Sequence, residues 1–296
     1  MHYPNALSGI ALVLTAVACF GALDTTTKQV TVTIPLLLAL WFRYLFQAVI
    51  TTLIVWPQRG RSVLRTEHPR FQVLRGVLLL VSSFLAFASL RYLPVGEFTA
   101  LLMITPIVIT LLAAQRLKER VSVFRWVLVL GGFAGTLIMV RPGSNLFGWA
   151  VLLPLTLVFT NAWFQILTSK LARTEDAVTM HFYTGWTGAI LASLPLPLVW
   201  QMPQARAEWM GLLLMGLLAS VGHYLLIQAY RRASAAILSP FLYAQIGFAM
   251  LGGWLVFSHV PDGWSQLGMA LIAVCGATSA WLTARENRLP SQPVEP

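Results

Sequence analysis

The chain has 296 residues, of which 57% are hydrophobic and only 10% are charged, and its formal net charge is +10. Its mean hydropathy is +0.74. A water-soluble domain of this length could not cover so much apolar surface, so the composition excludes an ordinary soluble enzyme or binding module. It predicts an all-α integral membrane protein that uses the bilayer as solvent.

Ten hydrophobic stretches follow one another with short connections and leave almost no room for a soluble domain. A stretch of about twenty residues crosses a hydrocarbon core of about 30 Å, because an α-helix rises about 1.5 Å per residue. We therefore predict transmembrane helices at residues 6–28, 33–56, 70–91, 95–115, 122–140, 147–170, 178–200, 209–230, 235–258 and 263–284.

The basic residues lie mainly on one side of these stretches. With the amino terminus inside, 15 of the 20 basic residues fall in inner segments, 4 in outer segments, and Arg43 lies within a span. The inner set includes Arg75, near the start of the third stretch. This asymmetry predicts cytoplasmic amino and carboxyl termini in a bacterial inner membrane. The net charge is thus a topology signal, and nucleic acid is not an expected partner.

The two halves of the chain are weakly similar to each other. An offset of 140 residues places Gly76 on Gly216, Ser83 on His223, and Thr105 on Gln245. Five spans per half is an odd number, so the halves must cross the membrane in opposite senses. An inverted repeat of this kind is typical of transporters, with the substrate site near the midplane. We predict repeats at 1–145 and 146–296, the second with a short cytoplasmic tail.

Arg43 is the most informative polar residue within a span. It lies eight residues after Pro35, about 12 Å along the second helix. Intramembrane arginines are rare and usually functional, so Arg43 is expected to bind a substrate carboxylate or to act as a fixed counter-charge. Asp24 is the alternative, purely structural, partner.

Other polar and aromatic side chains fall at a similar depth. A serine in a span commonly bonds to its own helix backbone, whereas an amide or imidazole either packs between helices or lines a cavity. Deep aromatic rings either pack against neighbouring helices or face a substrate. The candidate substrate-binding residues are Arg43, Ser82, Ser83, Trp163, His223, Tyr243 and Gln245.

Two prolines inside spans, Pro106 and Pro240, are the best hinge candidates because each removes a backbone hydrogen bond. The sequence has no carboxylate at mid-depth, which leaves His223 or no coupling ion at all. We therefore expect the substrate's own gradient to drive transport. No nucleotide-binding, zinc-binding or nucleophile-elbow motif occurs, so an enzyme, a metal and a cofactor are not expected.

The motifs resemble the EamA-type members of the drug/metabolite transporter superfamily over essentially the whole chain. The similarity is carried by Phe20-Gly21, Lys28, Arg43, Leu90-Arg91-Tyr92-Leu93-Pro94, Thr105-Pro106 and Lys118-Glu119-Arg120. The second half departs from the pattern, with Ile246 in place of a proline and His259 in place of a glutamate. Within the superfamily the chain looks most like YddG-type amino-acid exporters. That resemblance implies ten helices around a central cavity that opens alternately to each side.

The expected function is export of amino acids, including neutral and aromatic ones, and of similar small metabolites by a secondary transporter. Efflux of drugs or cations is one alternative, although a deep carboxylate to pair with a cation is missing. A sugar-phosphate or nucleotide-sugar carrier is another, and it would require several deep basic residues. The expected partners are a small-molecule substrate and the lipid bilayer, with a monomer as the working expectation.

Overall fold

The computed structural model describes residues 5–92, 101–119, 121–140, 151–258 and 262–288. Within these ranges every regular element is helical. The predicted boundary between the repeats at 145/146 lies outside the described residues, as do Pro94, Arg120 and His259.

The ten longer helices of the described residues are numbered in chain order, and each overlaps one of the predicted stretches. They are α1 Ala6–Val30, α2 Leu36–Arg59, α3 Pro69–Tyr92, α4 Thr105–Arg116, α5 Val123–Val140, α6 Leu152–Leu171, α7 Ala177–Ala192, α8 Arg206–Tyr230, α9 Ala244–Phe257 and α10 Gly263–Arg288. Short helical segments at Gly60–Leu64, Leu196–Val199, Ala235–Leu238 and Ser239–Tyr243 connect them.

Several of these helices suit a bilayer by length and composition. Seven described segments are long and apolar enough to cross a membrane: Ala6–Val30, Leu36–Leu64, Pro69–Ser89, Leu152–Leu171, Arg206–Tyr230, Ala235–Val256 and Gly263–Thr283. A shorter apolar helix occupies Val123–Ile138. The chain is therefore a multi-pass membrane protein.

The stretch predicted as one helix at 235–258 is broken, which corrects the sequence-based assignment. It begins with one α-helical turn at Ala235–Leu238, continues as a 3₁₀ segment at Ser239–Tyr243, and becomes α-helical again in α9. Pro240 explains the break, because proline donates no backbone hydrogen bond and clashes with the preceding turn. The other hinge candidate, Pro106, is the second residue of α4 and follows a turn at 103–104. Both prolines thus lie at helix interruptions.

Helix packing follows a regular pattern. The helix α1 packs against α8 and α9, α3 against α6 and α7, α2 against α7 and α8, α4 against α6, and α5 against α10. If each helix in these pairs is replaced by the helix five places later or earlier in the chain, the same set of pairs is obtained. The α1–α8 contact becomes α6–α3, for example, and the α1–α9 contact becomes α6–α4.

Two glycines that the 140-residue offset equates allow matching close approaches. A Cβ atom on Gly76 of α3 would lie 2.6 Å from the Cβ of Thr187 on α7. A Cβ atom on Gly216 of α8 would lie 2.6 Å from the Cβ of Phe46 on α2. Small residues at helix contacts let the backbones approach closely, which strengthens van der Waals packing within a membrane.

The connection after α4 is anchored to the second half of the chain. The Glu119 carboxylate accepts hydrogen bonds from Arg173 Nη2 at 2.7 Å and from the Ala236 backbone N–H at 3.1 Å. Burial raises the pKa of the Glu119 carboxyl, and the bond from Ala236 and the charge of Arg173 oppose that rise. Glu119 thereby holds the end of α4 against the start of the interrupted segment at Ala235–Leu238.

Candidate functional site

Arg43 lies inside the helix bundle, where its side chain is 7% exposed. Its Nη1 donates a hydrogen bond to Ser83 Oγ at 3.1 Å, and its Nη2 donates to His223 Nε2 at 3.0 Å. The offset that equates Ser83 with His223 therefore places both residues against one guanidinium. Asp24, the structural alternative, does not bond to Arg43; its carboxylate accepts a hydrogen bond from Gln245 Nε2 at 2.9 Å.

The hydrogen bond from Arg43 fixes the tautomer of His223. A guanidinium has no acceptor, so His223 Nε2 must accept and the imidazole proton must be on Nδ1. Among the described residues, neither His223 Nδ1 nor Arg43 Nε has a hydrogen-bond partner. Both are donors, and a buried donor without a partner is unfavourable. The cluster is therefore suited to a ligand that brings acceptor atoms.

Aromatic rings flank this cluster. The ring of Phe20 on α1 lies 4.8 Å from the His223 ring, and the ring of Phe164 on α6 lies 5.9 Å from it, edge to face. The hydroxyl of Tyr44 is 3.2 Å from Ser83 Oγ. The α1, α2, α3, α6 and α8 helices, drawn from both sequence halves, thus form one donor-rich site with aromatic walls.

A second buried arginine, Arg75, lies close to this site. Its side chain is 1% exposed, and it donates hydrogen bonds to the Met180 carbonyl and, at 2.5 Å, to the Thr184 hydroxyl on α7. Its guanidinium carbon lies 5.7 Å from the centre of the Phe164 ring. Arg75 was expected among the inner-segment charges, but the structure buries it within the helix bundle. Its position six residues after Pro69, about 9 Å into α3, does not by itself distinguish a buried arginine from a boundary charge.

Gln47 and His181 extend the polar interior, and neither is among the residues predicted from the sequence. Gln47 Nε2 donates to the His181 carbonyl at 3.1 Å, and His181 Nε2 lies 3.0 Å from Ser220 Oγ. These contacts join α2, α7 and α8. Gln47 is four residues after Arg43, on the same helix face, and that spacing could have identified it.

None of the other four candidates forms a hydrogen bond with Arg43 among the described residues. Ser82 donates to Thr160 Oγ1 at 3.0 Å, and Gln245 bonds to Asp24 as described above. Tyr243 is fully buried against Gly132, and its hydroxyl has no partner among the described residues. Trp163 is 39% exposed and lies in a separate groove. Of the seven predicted residues, the structure brings together Arg43, Ser83 and His223.

Comparison with known proteins identifies the family. The model of the EamA-like transporter family matches residues 7–141 and, a second time, residues 148–281. The chain belongs to the EamA-like transporter family. It is therefore a membrane transporter of the drug/metabolite transporter superfamily.

Relatives of known function differ in what they carry. The chain is 29% identical over 296 residues to a riboflavin transporter of Vibrio cholerae, covering 97% of each protein. It is 31% identical over 295 residues to a riboflavin transporter of Rhizobium johnstonii, covering 98% of this chain and 95% of the relative. It is 24% identical over 266 residues to an S-adenosylmethionine uptake transporter of Rickettsia felis, covering 90% of each. These functions differ from the amino-acid export implied by the YddG-type resemblance.

A solved structure shares the fold. It superposes with a TM-score of 0.79 over 94% of this chain and 98% of its own, at 20% sequence identity. At that identity the similarity concerns the fold alone.

Proposed function

We propose that this transporter carries riboflavin-like metabolites, meaning small planar heteroaromatic molecules with a polar edge. The observation that carries the proposal is the Arg43–Ser83–His223 cluster, which has unpartnered donors at Arg43 Nε and His223 Nδ1. A flavin ring system presents carbonyl and ring-nitrogen acceptors along its edge and two π faces. The rings of Phe20 and Phe164 lie where they can pack against such faces.

The relatives support the same substrate chemistry. Riboflavin and S-adenosylmethionine each contain a planar, nitrogen-containing aromatic ring joined to a hydroxyl-bearing chain or sugar. Arginine suits such a ligand because its planar, weakly hydrated guanidinium combines directed hydrogen bonds with stacking. Sites of this kind are mostly apolar and aromatic, with a few convergent polar groups that fix orientation.

Alternating access between two inverted five-helix repeats, 1–145 and 146–296, is the proposed mechanism. It is supported by the two family matches, by the packing pattern that persists when the halves are exchanged, and by the shared contact of Ser83 and His223 with Arg43. The repeats would enclose a central cavity in which the substrate binds. The distribution of basic residues supports an inner-membrane orientation with both termini in the cytoplasm.

Pro106 and Pro240 are the proposed hinges of this motion. Each lies where its helix is interrupted, and Thr110 Oγ1 on α4 is 2.7 Å from Ser239 Oγ, which directly precedes Pro240. The two interruptions are therefore in contact across the boundary between the halves. Movement at one can be transmitted directly to the other.

Export of amino acids, including aromatic ones, is the second candidate. One observation favours it: the structure holds a carboxylate, that of Asp24, in place through a 2.9 Å hydrogen bond from Gln245 Nε2. An aromatic amino acid could place its carboxylate on Arg43 and its ammonium group on Asp24. The sugar-phosphate alternative would require further deep basic residues that can bind a phosphate. Arg75 does not meet this requirement, because its guanidinium is already hydrogen-bonded to Met180 and Thr184 of α7.

Transport by purified protein in proteoliposomes tests both candidates. Vesicles preloaded with unlabelled riboflavin should accumulate external labelled riboflavin by counterflow, and an excess of phenylalanine or tryptophan should not compete. If amino acids exchange and riboflavin does not, the second candidate replaces the first. If neither exchanges, both substrate proposals fail, while membership of the transporter family stands.

A further inference from the structure

A groove separate from the Arg43 cluster runs between α3, α4 and α6. It encloses about 450 Å³ and is lined by Phe71, Leu74, Leu78, Arg116, Leu117, Trp163, Ile166, Leu167 and Lys170. Apart from the two cations and the indole of Trp163, its lining side chains are hydrocarbon. The groove thus combines an apolar floor with positive charge.

Both cations come from helix carboxyl ends at one end of the groove, and the Arg116 side chain reaches along it to Trp163. Arg116 is the last residue of α4, and Lys170 is the penultimate residue of α6; both are exposed. The Arg116 guanidinium carbon is 5.4 Å from the centre of the Trp163 ring, and Lys170 Nζ is 5.8 Å from that of Phe71. Among the described residues, neither cation forms a salt bridge with a carboxylate. Their positive charge is available to an anion.

The apolar part of the groove extends away from this charged end. Phe71 is near the start of α3, and Leu78 is seven residues further along, about 10 Å deeper. On α6, Trp163 precedes Lys170 by seven residues, the same distance. Phe71 and Leu74 are 42% and 45% exposed, respectively. Lys170 lies beside Phe71, and about 10 Å of hydrocarbon follows as far as Leu78, which matches the layout of a phospholipid, headgroup first and acyl chain second.

We propose that this groove binds an anionic phospholipid. Its phosphate contacts Lys170 and Arg116, and one acyl chain lies along Leu74 and Leu78. The predicted topology assigns this end of the molecule to the cytoplasmic leaflet. Basic pockets between transmembrane helices on that side are typical binding sites for anionic headgroups.

The apolar floor favours a lipid over the transported substrate. A riboflavin-like ring would have to bury its polar edge against Leu74, Leu78, Ile166 and Leu167, none of which can form a side-chain hydrogen bond. Burying polar groups without partners is unfavourable. An acyl chain meets no such cost. The groove and the Arg43 cluster therefore serve different ligands.

Native mass spectrometry of the purified protein, titrated separately with phosphatidylglycerol and phosphatidylcholine, tests the proposal. Each basic residue near an anionic headgroup strengthens binding roughly fivefold, so Arg116→Gln/Lys170→Gln should weaken phosphatidylglycerol binding roughly 30-fold. Phosphatidylcholine should bind weakly to every variant. The matched control is Arg65→Gln/Arg231→Gln, which removes two exposed basic residues outside the groove and should bind phosphatidylglycerol like the unmodified protein.

A second variant tests the apolar part while both cations remain. Leu74→Trp fills the groove and should also weaken phosphatidylglycerol binding. The proposal is overturned if the double variant binds this lipid as well as the unmodified protein, if phosphatidylcholine binds equally well, or if soluble glycerol phosphate displaces the lipid at equal concentration. Because the titration uses no transported substrate, failure of the riboflavin proposal would not affect its outcome.

Discussion

Arg43 and His223 are 180 positions apart in the chain and are joined by a 3.0 Å hydrogen bond. The bond links α2 of the first half to α8 of the second. It leaves the His223 Nδ1 proton and Arg43 Nε without acceptors among the described residues. A substrate that supplies acceptors would therefore contact both halves of the transporter at once, as a midplane site between two repeats requires.

Substitution of Arg43 should impair transport more than folding. Lysine cannot reproduce two directed bonds to Ser83 and His223, and glutamine loses the charge. Hydrogen bonds to a charged group contribute about 1.5–3 kcal/mol, so Arg43→Lys and Arg43→Gln should each reduce riboflavin transport about tenfold or more. Counterflow in proteoliposomes measures the effect, and the unfolding temperature in detergent reports folding.

The control for Arg43 is Arg61→Gln, which removes an exposed arginine in the Gly60–Leu64 segment. Such a surface change should alter transport by about twofold at most. Arg43 variants that transport as well as this control would remove Arg43 from the site.

The α3–α7 contact should be intolerant of a single methyl group. In Gly76→Ala the new Cβ would lie 2.6 Å from the Cβ of Thr187, and such overpacking typically costs about 1–3 kcal/mol. At Gly253 no atom lies within 4 Å of an added Cβ, so Gly253→Ala should be neutral or slightly stabilising. Chemical denaturation in detergent compares the two. Adding Thr187→Gly to Gly76→Ala should restore stability, and failure to do so would argue against this contact as the cause.

Fixing the Thr110–Ser239 contact should stop transport reversibly. In a background with Cys19→Ala and Cys275→Ala, the pair Thr110→Cys/Ser239→Cys places two thiols where hydroxyls now lie 2.7 Å apart. Oxidation should cross-link the two interruptions and abolish counterflow, and reduction should restore it. Each single-cysteine variant, treated identically, is the control. Full transport by the cross-linked protein would show that these segments do not move apart during the cycle.

Glu119 should give a defined pH dependence of stability. Because burial raises its pKa, the folded protein holds this proton more tightly than the unfolded chain does. Its contribution to stability is therefore complete below its ordinary pKa and decreases as pH rises through the raised value. Glu119→Gln has no such proton. The stability of the unmodified protein relative to this variant should be greater at pH 4 than at pH 7, and the opposite order would contradict the inferred rise in pKa.

Energy coupling can be tested directly. The lack of a mid-depth carboxylate in the sequence predicts that the substrate gradient drives flux, so a protonophore should leave net riboflavin flux into proteoliposomes unchanged. A large loss of flux would implicate a titrating group, and Asp24 would be the first to replace.

The sequence was most informative where a pattern reflects a single physical requirement. Hydrophobic runs located the helices because the bilayer demands their length, and Arg43 was identifiable because charge is costly there. Arg75 was wrongly assigned to an inner segment because it lies only six residues after the start of α3, where a charged residue can still be at the membrane boundary. Only packing against Met180, Thr184 and Phe164 shows that it is buried.

Other features depend on tertiary contacts that one sequence does not reveal. The break at Ser239–Tyr243 could be located from Pro240, but its 3₁₀ geometry could not. Trp163 was selected for its depth, and its exposure in a groove beside Arg116 became apparent only from the structure. Substrate identity depends on a few such contacts, which explains why the family was predictable and the amino-acid assignment was not supported by the relatives.

Riboflavin counterflow by the unmodified protein and by Arg43→Gln, measured side by side in proteoliposomes, tests whether the Arg43 cluster binds the transported substrate. We expect saturable accumulation of labelled riboflavin by the unmodified protein and a loss of about tenfold or more in the variant. Absence of accumulation by the unmodified protein, or equal accumulation by both, would contradict it.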